Sequence, residues 1–246
     1  MSTFYIVQSQ IHENTITIQG EDVNHIKNVQ RHKIGDILEI CDNNENRYEA
    51  KISEFLSDNI VLDIKEKKNI SNEPKIQISL FQGLPKSDKM DLIVQKAVEI
   101  GAKEIIPVIM DRTVVKIDKA NTDKKVERWQ KIAAEAAKQS YRQVIPIIQN
   151  IVNLENIVEN LSKYDIVILP YECEKERTLK IVLKNLNKKI NSVAIVIGPE
   201  GGFSEKDIKK LEVLPNVEKV SLGRRILRTE TAGIVTMSMI IYEYDF

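Results

Sequence analysis

Four apolar runs in the later two-thirds of the chain constrain its fold more than any other feature. IQISLFQ (76–82), EIIPVIM (104–110), DIVILP (165–170) and VAIVIG (193–198) are short, almost uninterrupted and rich in β-branched residues. A strand that is apolar on both faces must be covered on both, as in a parallel sheet flanked by helices. Helical patterns stand between the runs. Residues 87–100 put Met90, Ile93, Val94, Ala97 and Val98 on one side and stop at Gly101. Residues 122–142 do the same around Val126, Trp129, Ile132, Ala133 and Ala136. A short helix is expected before residue 165, then helices at 178–189 and 204–214, a strand KVSL (219–222) and a terminal helix. The fold class is α/β, with a parallel sheet in the C-terminal part.

The first 70 residues follow a different rhythm. FYIVQ (4–8), TITI (15–18), ILEIC (37–41), RYEAKISEF (47–55) and NIVLDIKE (59–66) read as strands, the last with the alternation of a half-buried one. EDVNHIKNVQ (21–30) reads as a helix with Val23, Ile26 and Val29 or Gln30 on one side, and residues 43–46 as an Asn-rich turn. A small barrel or sandwich is expected. The polar stretch KEKKNISNEPK (65–75) separates the two patterns, giving domains at 1–70 and 74–246.

Basic and acidic residues number 36 each, so overall charge selects no partner. Residues 75–145 nevertheless carry fourteen basic against nine acidic side chains, and residues 1–72 eight against twelve. The basic stretch suits a phosphate-facing surface or solvated helix faces about equally. No run approaches the roughly 20 apolar residues of a membrane helix, and MSTFYIVQSQ lacks the order of a secretory signal. Cys41 and Cys173 stand far apart without metal-ligand spacing, which indicates a reduced, cytoplasmic protein with no metal site. Cys173 reads as a packed thiol. His12, His25 and His32 all lie near the N-terminus, so a histidine-based centre built within the second domain is excluded.

In open α/β sheets ligands bind beyond the carboxyl ends of the strands. Three such ends are distinctive here: LPYECE from Leu169, GPEGG from Gly198 and LGRRILRTE from Leu222. Five of the nine glycines lie in or beside the last two. GPEGG is neither a Walker A loop nor a GxGxxG turn. Its backbone groups could hold an adenine or amino-acid moiety. Tight packing would explain one such turn; two, beside three arginines, favour a ligand site. Ser204 and Asp207 have the spacing of a capping box. Arg228 precedes the terminal helix, where a cation gains nothing from the helix dipole, so an anionic ligand or developing negative charge explains it better. Glu200 and Glu230 either pair with Arg224, Arg225 or Arg228 or take part in chemistry. His25, Lys27 and Arg31 suit either phosphate contact or a solvated face.

GPEGGFSEKDI (198–208) and LGRRILRTETA (222–232) resemble the RsmE family of SPOUT-superfamily RNA methyltransferases. HIKNVQRHKIGD (25–36), LPKSDKMDLIVQKAVEIGAKEIIPV (84–108) and ERWQKIAAEAAKQSYR (127–142) extend the resemblance over nearly the whole chain. Gln30 and His32 stand where apolar residues are usual in the family, and Tyr141 where glycine is common. The resemblance implies an N-terminal PUA-like β-barrel and a C-terminal domain with a trefoil knot. It implies S-adenosylmethionine as cofactor, a homodimer, no membrane association, and methylation of N3 of a uridine in ribosomal RNA of the small subunit. Three loops would hold the cofactor: Leu169, Pro170, Tyr171 and Glu172; Ile197, Gly198, Pro199, Glu200, Gly201 and Gly202; and Leu222, Gly223, Ile226, Leu227 and Arg228. RNA would lie along His25, Lys27 and Arg31, and along Lys86, Lys89, Lys138 and Arg142.

Uracil N3 becomes nucleophilic only when its proton leaves, and the charge then spreads onto O2 and O4. Arg228 is assigned to stabilise that charge. Glu230 or Glu200 would serve as base if burial raised its pKa. A knotted methyltransferase acting on ribose or another base is an alternative, as is a non-catalytic RNA-binding protein of ribosome assembly. A dinucleotide oxidoreductase lacks its glycine signature and ranks last.

Overall fold

The structure, a computed structural model, describes residues 3–86, 88–115, 121–186 and 189–245. It divides into two units: residues 1–73 with 137–145, and residues 74–136 with 146–246.

In the first unit, β1 (Thr3–Tyr5), β2 (Ile11–His12), β3 (Thr15–Gln19), β4 (Ile37–Cys41), β5 (Arg47–Phe55) and β6 (Asn59–Lys68) form one sheet in the order β1-β4-β5-β6-β3-β2. Among the described residues of this sheet only β1 and β4 pair in parallel. Burial follows the sequence alternation: β3 buries Ile16 and Ile18 and leaves Thr15 and Thr17 half-buried. Those two join Phe4, Ile26, Leu38, Ile40, Ile52, Ile60 and Leu62 in one core. The expected strand 4–8 stops at Tyr5, and residues 8–10 form a 3-10 turn. The expected helix at 21–30 becomes α1 (Glu21–Asn24) followed by a wide π turn over His25–Val29. The wider turn keeps Val23 and Ile26 in the core and leaves Val29 exposed.

Residues 137–145 belong to this unit because of a buried polar cluster. Arg142 is 5% exposed, and its Nε donates to Glu73 Oε2 at 3.1 Å. Glu73 Oε1 accepts from the backbone N–H groups of Gln143 (2.8 Å) and Val144 (3.2 Å). Gln143, fully buried, donates to the carbonyls of Glu45 and Ile70 and accepts from the Asn72 N–H. The Tyr5 hydroxyl donates to the Arg142 carbonyl at 2.6 Å. Burial with its counter-ion removes Arg142 from the surface on which RNA contact is expected.

The second unit holds β7 (Gln77–Gly83), β8 (Glu104–Ile109), β9 (Ile147–Ile148), β10 (Val152–Asn153), β11 (Ile166–Pro170), β12 (Ser192–Ile197) and β13 (Val217–Val220). Their order is β10-β8-β7-β12-β11-β13, with β9 beside β8, and every pair is parallel. After their first residues β7 and β12 are buried at every position, as strands covered on both faces must be. The helices are α2 (Lys89–Ile100), α3 (Thr122–Gln139), α4 (Leu154–Leu161), α5 (Leu179–Lys184), α6 (Glu205–Leu211) and α7 (Thr229–Tyr244). α2 packs on α7. The fold is α/β with a parallel sheet, and the N-terminal unit is built of strands.

Several elements are shorter than their patterns suggest. α5 and α6 end early, and β13 lies two residues before the expected KVSL strand. Ser87, expected to begin a helix, and residues 187–188 lie outside the described residues. α3 stops at Gln139 because Tyr141 takes a left-handed conformation (φ 56°). The Arg142 N–H then reaches back to the Ala137 carbonyl at 3.0 Å, the bond of a Schellman cap. Among the described residues no helix is long and apolar enough to cross a membrane.

Candidate functional site: three strand exits around one cavity

β12, β11 and β13 are neighbours in that order, so the chain leaves the sheet three times at adjacent carboxyl ends. The exits line one cavity of about 450 Å³. Pro170, Tyr171 and Glu172 come from the first; Ile197, Gly198, Pro199, Glu200, Gly201 and Gly202 from the second; Leu222, Gly223, Ile226, Leu227 and Arg228 from the third. Of the residues expected to hold a cofactor only Leu169 is not in the lining. It is fully buried in the core beneath, because successive strand residues face opposite sides.

Two glycines allow this convergence. Gly202 has φ 68°, a left-handed conformation that strains any side chain, and it lies against the Glu172 carboxylate of the first exit. Gly83, at the end of β7, would place a Cβ 2.5 Å from the Pro199 nitrogen. That glycine was not singled out in the sequence; its signal is a glycine closing an apolar strand. Downstream, Ser204 and Asp207 form the expected capping box: Asp207 N–H donates to Ser204 Oγ and Ser204 N–H to Asp207 Oδ2, both at 3.1 Å.

The third exit is the most open. Among the described residues, 224–227 make no backbone–backbone hydrogen bond, and Ile226 is 84% exposed although apolar. Arg228 is the N-cap residue of α7, in extended conformation and exposed. Among the described residues Arg224, Arg225 and Arg228 form no ion pair. Glu200 and Glu230, for which pairing with these arginines was one of two alternatives, face Lys89: its Nζ lies 3.0 Å from Glu200 Oε1 and 3.6 Å from Glu230 Oε2. Lys89, expected on an RNA surface, therefore lines the cavity between two carboxylates.

The two glutamates differ. Burial acts to raise the pKa of Glu200, but hydrogen bonds from Lys89 Nζ and the Lys86 N–H, each 3.0 Å to Oε1, outweigh it and hold it below the ordinary glutamate value. Glu200 thus lacks the raised pKa that a base role would need. The Glu230 side chain is 16% exposed, and its buried Oε2 makes no hydrogen bond, Lys89 Nζ standing 3.6 Å away as its ion-pair partner.

His25, Lys27 and Arg31 are all exposed in the first unit. Lys27 Nζ lies 6.0 Å from the centroid of the Phe55 ring, and Arg31 is left-handed with φ 58°. In the second unit Lys86 is exposed, whereas Lys138, which clusters with the first, is half-buried. Cys173 is exposed rather than packed, because the turn Tyr171–Glu174 carries it past the end of β11. Among the described residues no group of side chains could hold a metal ion.

A family model described as an RNA methyltransferase domain matches residues 71–241, and one described as an RNA methyltransferase PUA domain matches residues 18–62. Ribosomal RNA small subunit methyltransferase E of Bacillus subtilis (strain 168) is 35% identical over 98% of this chain and 95% of its own length. The chain belongs to the ribosomal RNA small subunit methyltransferase E family. The methyltransferase E of Mesomycoplasma hyopneumoniae (strain 232) is 30% identical, covering 98% of this chain and 99% of that protein. A solved methyltransferase E from Neisseria gonorrhoeae, bound to S-adenosylmethionine, superposes with a TM-score of 0.85. It is 25% identical over 99% of this chain and 98% of its own. In this methyltransferase E family member Thr229 also lines the cavity, and Gly83, Gln82 and Arg112 support its wall; no sequence motif marks them. Arg112 Nη1 donates to the Gly201 carbonyl at 3.0 Å. The Thr229 hydroxyl donates to the Gly198 carbonyl at the start of that turn, and Gln82 donates to Thr229.

Proposed function

We propose that this chain methylates N3 of a uridine in small-subunit ribosomal RNA, with S-adenosylmethionine as methyl donor. The observation that carries the reading is Arg228: an exposed cation without an ion pair among the described residues, at the edge of a cavity walled by glycine turns.

The residues fit this cofactor. The stretch 224–227 offers backbone donors and acceptors that no other backbone group occupies among the described residues, suited to the edge of an adenine. Ile197, Leu222 and Leu227 offer apolar surface for its faces, and Gly202 admits close approach. When bound, S-adenosylmethionine supplies an electrophilic methyl group on a sulfonium sulfur.

Glu230 is the carboxylate assigned to accept the proton that leaves uracil N3, because Lys89 stands 3.6 Å from it and only 3.0 Å from Glu200. Arg228 stabilises the charge that spreads onto the uracil oxygens, as a fixed cation in a partly desolvated site does for a developing anion. Glu200 ties the start of α2 to the glycine turn through Lys86 and Lys89. The target base must be unstacked to reach such a site. His25, Lys27 and Arg31, with Lys86 and Lys138, hold flanking RNA; Arg142 does not. A PUA-like barrel in residues 1–70 belongs to the same reading, supported by the PUA-domain match over 18–62 and the six-stranded first sheet, as does a trefoil knot in 74–246. A homodimer is supported by α7, which leaves Met239 and Tyr242 exposed.

Mass spectrometry of nucleosides from ribosomal RNA of cells with and without the gene tests the reaction. Loss of N3-methyluridine alone is expected; loss of a ribose-methylated nucleoside instead would overturn the target. In the purified protein Arg228→Ala should keep donor binding by calorimetry and lose about 10²–10³-fold in turnover. Unchanged turnover would remove Arg228 from the chemistry.

A further inference from the structure

We infer that Gln82 and Thr229 are positioning residues that hold Arg228 in register with the glycine turn, an assignment that rests on the function proposed above. Thr229 is the first residue of α7 and directly follows Arg228. Its hydroxyl donates to the Gly198 carbonyl at 2.6 Å and accepts from Gln82 Nε2 at 2.8 Å. Gln82 Nε2 also donates to the Gly83 carbonyl at 2.9 Å. The relay joins the end of β7, the start of the glycine turn and the start of α7.

Its direction is fixed by chemistry. The carbonyls of Gly83 and Gly198 can only accept, so the amide must turn its NH₂ toward Gly83 and the threonine must give its proton to Gly198. That orientation leaves Gln82 Oε1 buried with no donor, in a side chain that is 0% exposed. An acceptor stranded in this way lowers stability; an apolar side chain of similar size would remove it, at the loss of the hydrogen bonds to Gly83 and Thr229. Its register neighbours, Ile197 and Pro107, are apolar. Glutamine at this place is therefore unfavourable for packing and useful for the NH₂ it presents. Through Thr229 it fixes the backbone next to Arg228 relative to Gly198, where a displacement of about 1 Å is enough to cost on the order of a hundredfold in rate.

Three variants test this: Gln82→Leu, Thr229→Val and Thr229→Ser. Gln82→Leu and Thr229→Val should speed amide hydrogen exchange at residues 200–202 and 229–232, and each should lower kcat by about tenfold or more, with KM for RNA and the Kd for the donor within about threefold. Thr229→Ser keeps the hydroxyl and should restore both exchange and kcat. Wild-type exchange in Gln82→Leu, or a Thr229→Ser as impaired as Thr229→Val, would overturn the assignment. Exchange needs neither donor nor RNA. A wild-type protein that methylates nothing would sink the proposed function, while the exchange rates would still decide the relay.

Discussion

The ammonium of Lys89 stands 3.0 Å from a carboxylate oxygen of Glu200. The pair joins the first residue of α2 to the middle of the glycine turn, and the Lys86 N–H adds a second donor to the same oxygen. Two elements far apart in sequence thereby form one wall of the cavity.

That pair gives a pH dependence with a definite sign. The folded-state pKa of Glu200 is lowered, so the folded protein binds fewer protons there than the unfolded chain. The resulting stability is present above the ordinary glutamate value of about 4.3 and is lost as pH falls through the lower, folded value. The group is partly exposed, which limits the contribution to about 0.2–1 kcal/mol. Lys89→Met leaves burial less opposed, so the Glu200 carboxyl should titrate at higher pH and the acid limb of the stability curve should flatten. Carboxyl carbon NMR and urea midpoints between about pH 3 and pH 7 read both effects. Superimposable acid limbs would show that the pair contributes nothing.

Arg142 and Glu73 should behave as a buried pair. Their side chains are 6% and 8% exposed, so Arg142→Met strands a carboxylate among groups that cannot solvate it. A loss of about 3–5 kcal/mol is expected in urea denaturation. Adding Glu73→Gln removes the charge and keeps the oxygen that accepts from Gln143 and Val144, so the double variant should recover most of the loss. Arg142→Met within about 1 kcal/mol of wild type would mean that the arginine is solvated after all and is open to RNA.

Tyr141 carries a conformational cost with no internal return. It sits at the left-handed position that ends α3, with its side chain 49% exposed. Its carbonyl, not its ring, is what Arg47 and Asn72 hold. Tyr141→Gly should raise stability by about 0.5–1 kcal/mol after allowing for the freer unfolded chain, seen as a higher urea midpoint at unchanged slope. A lower midpoint would show that the ring packs against something that stabilises it.

Much of the molecule was legible from side-chain pattern because burial of a strand depends on which of its faces are apolar. VAIVI had to be covered on both faces, TITI on one, and the structure buries them so. The three distinctive exits were visible for the same reason: each follows such a run directly. Backbone geometry was less legible. The π turn at His25–Val29 and the halt of α3 at Tyr141 both break a helical pattern that the apolar spacing alone would continue.

Local composition thus determined the strand and helix types, the switch between the two units near residue 70, and the turns that a ligand would meet. Only the tertiary structure decided which charges oppose which. Arg142 and Lys89 look alike in sequence, yet one is buried against Glu73 and the other stands between Glu200 and Glu230. Periodicity reports the face on which a side chain lies, but a polar group's partner depends on what the folded chain brings opposite it. For Lys89, Arg142 and Gln82 that partner comes from a distant part of the chain.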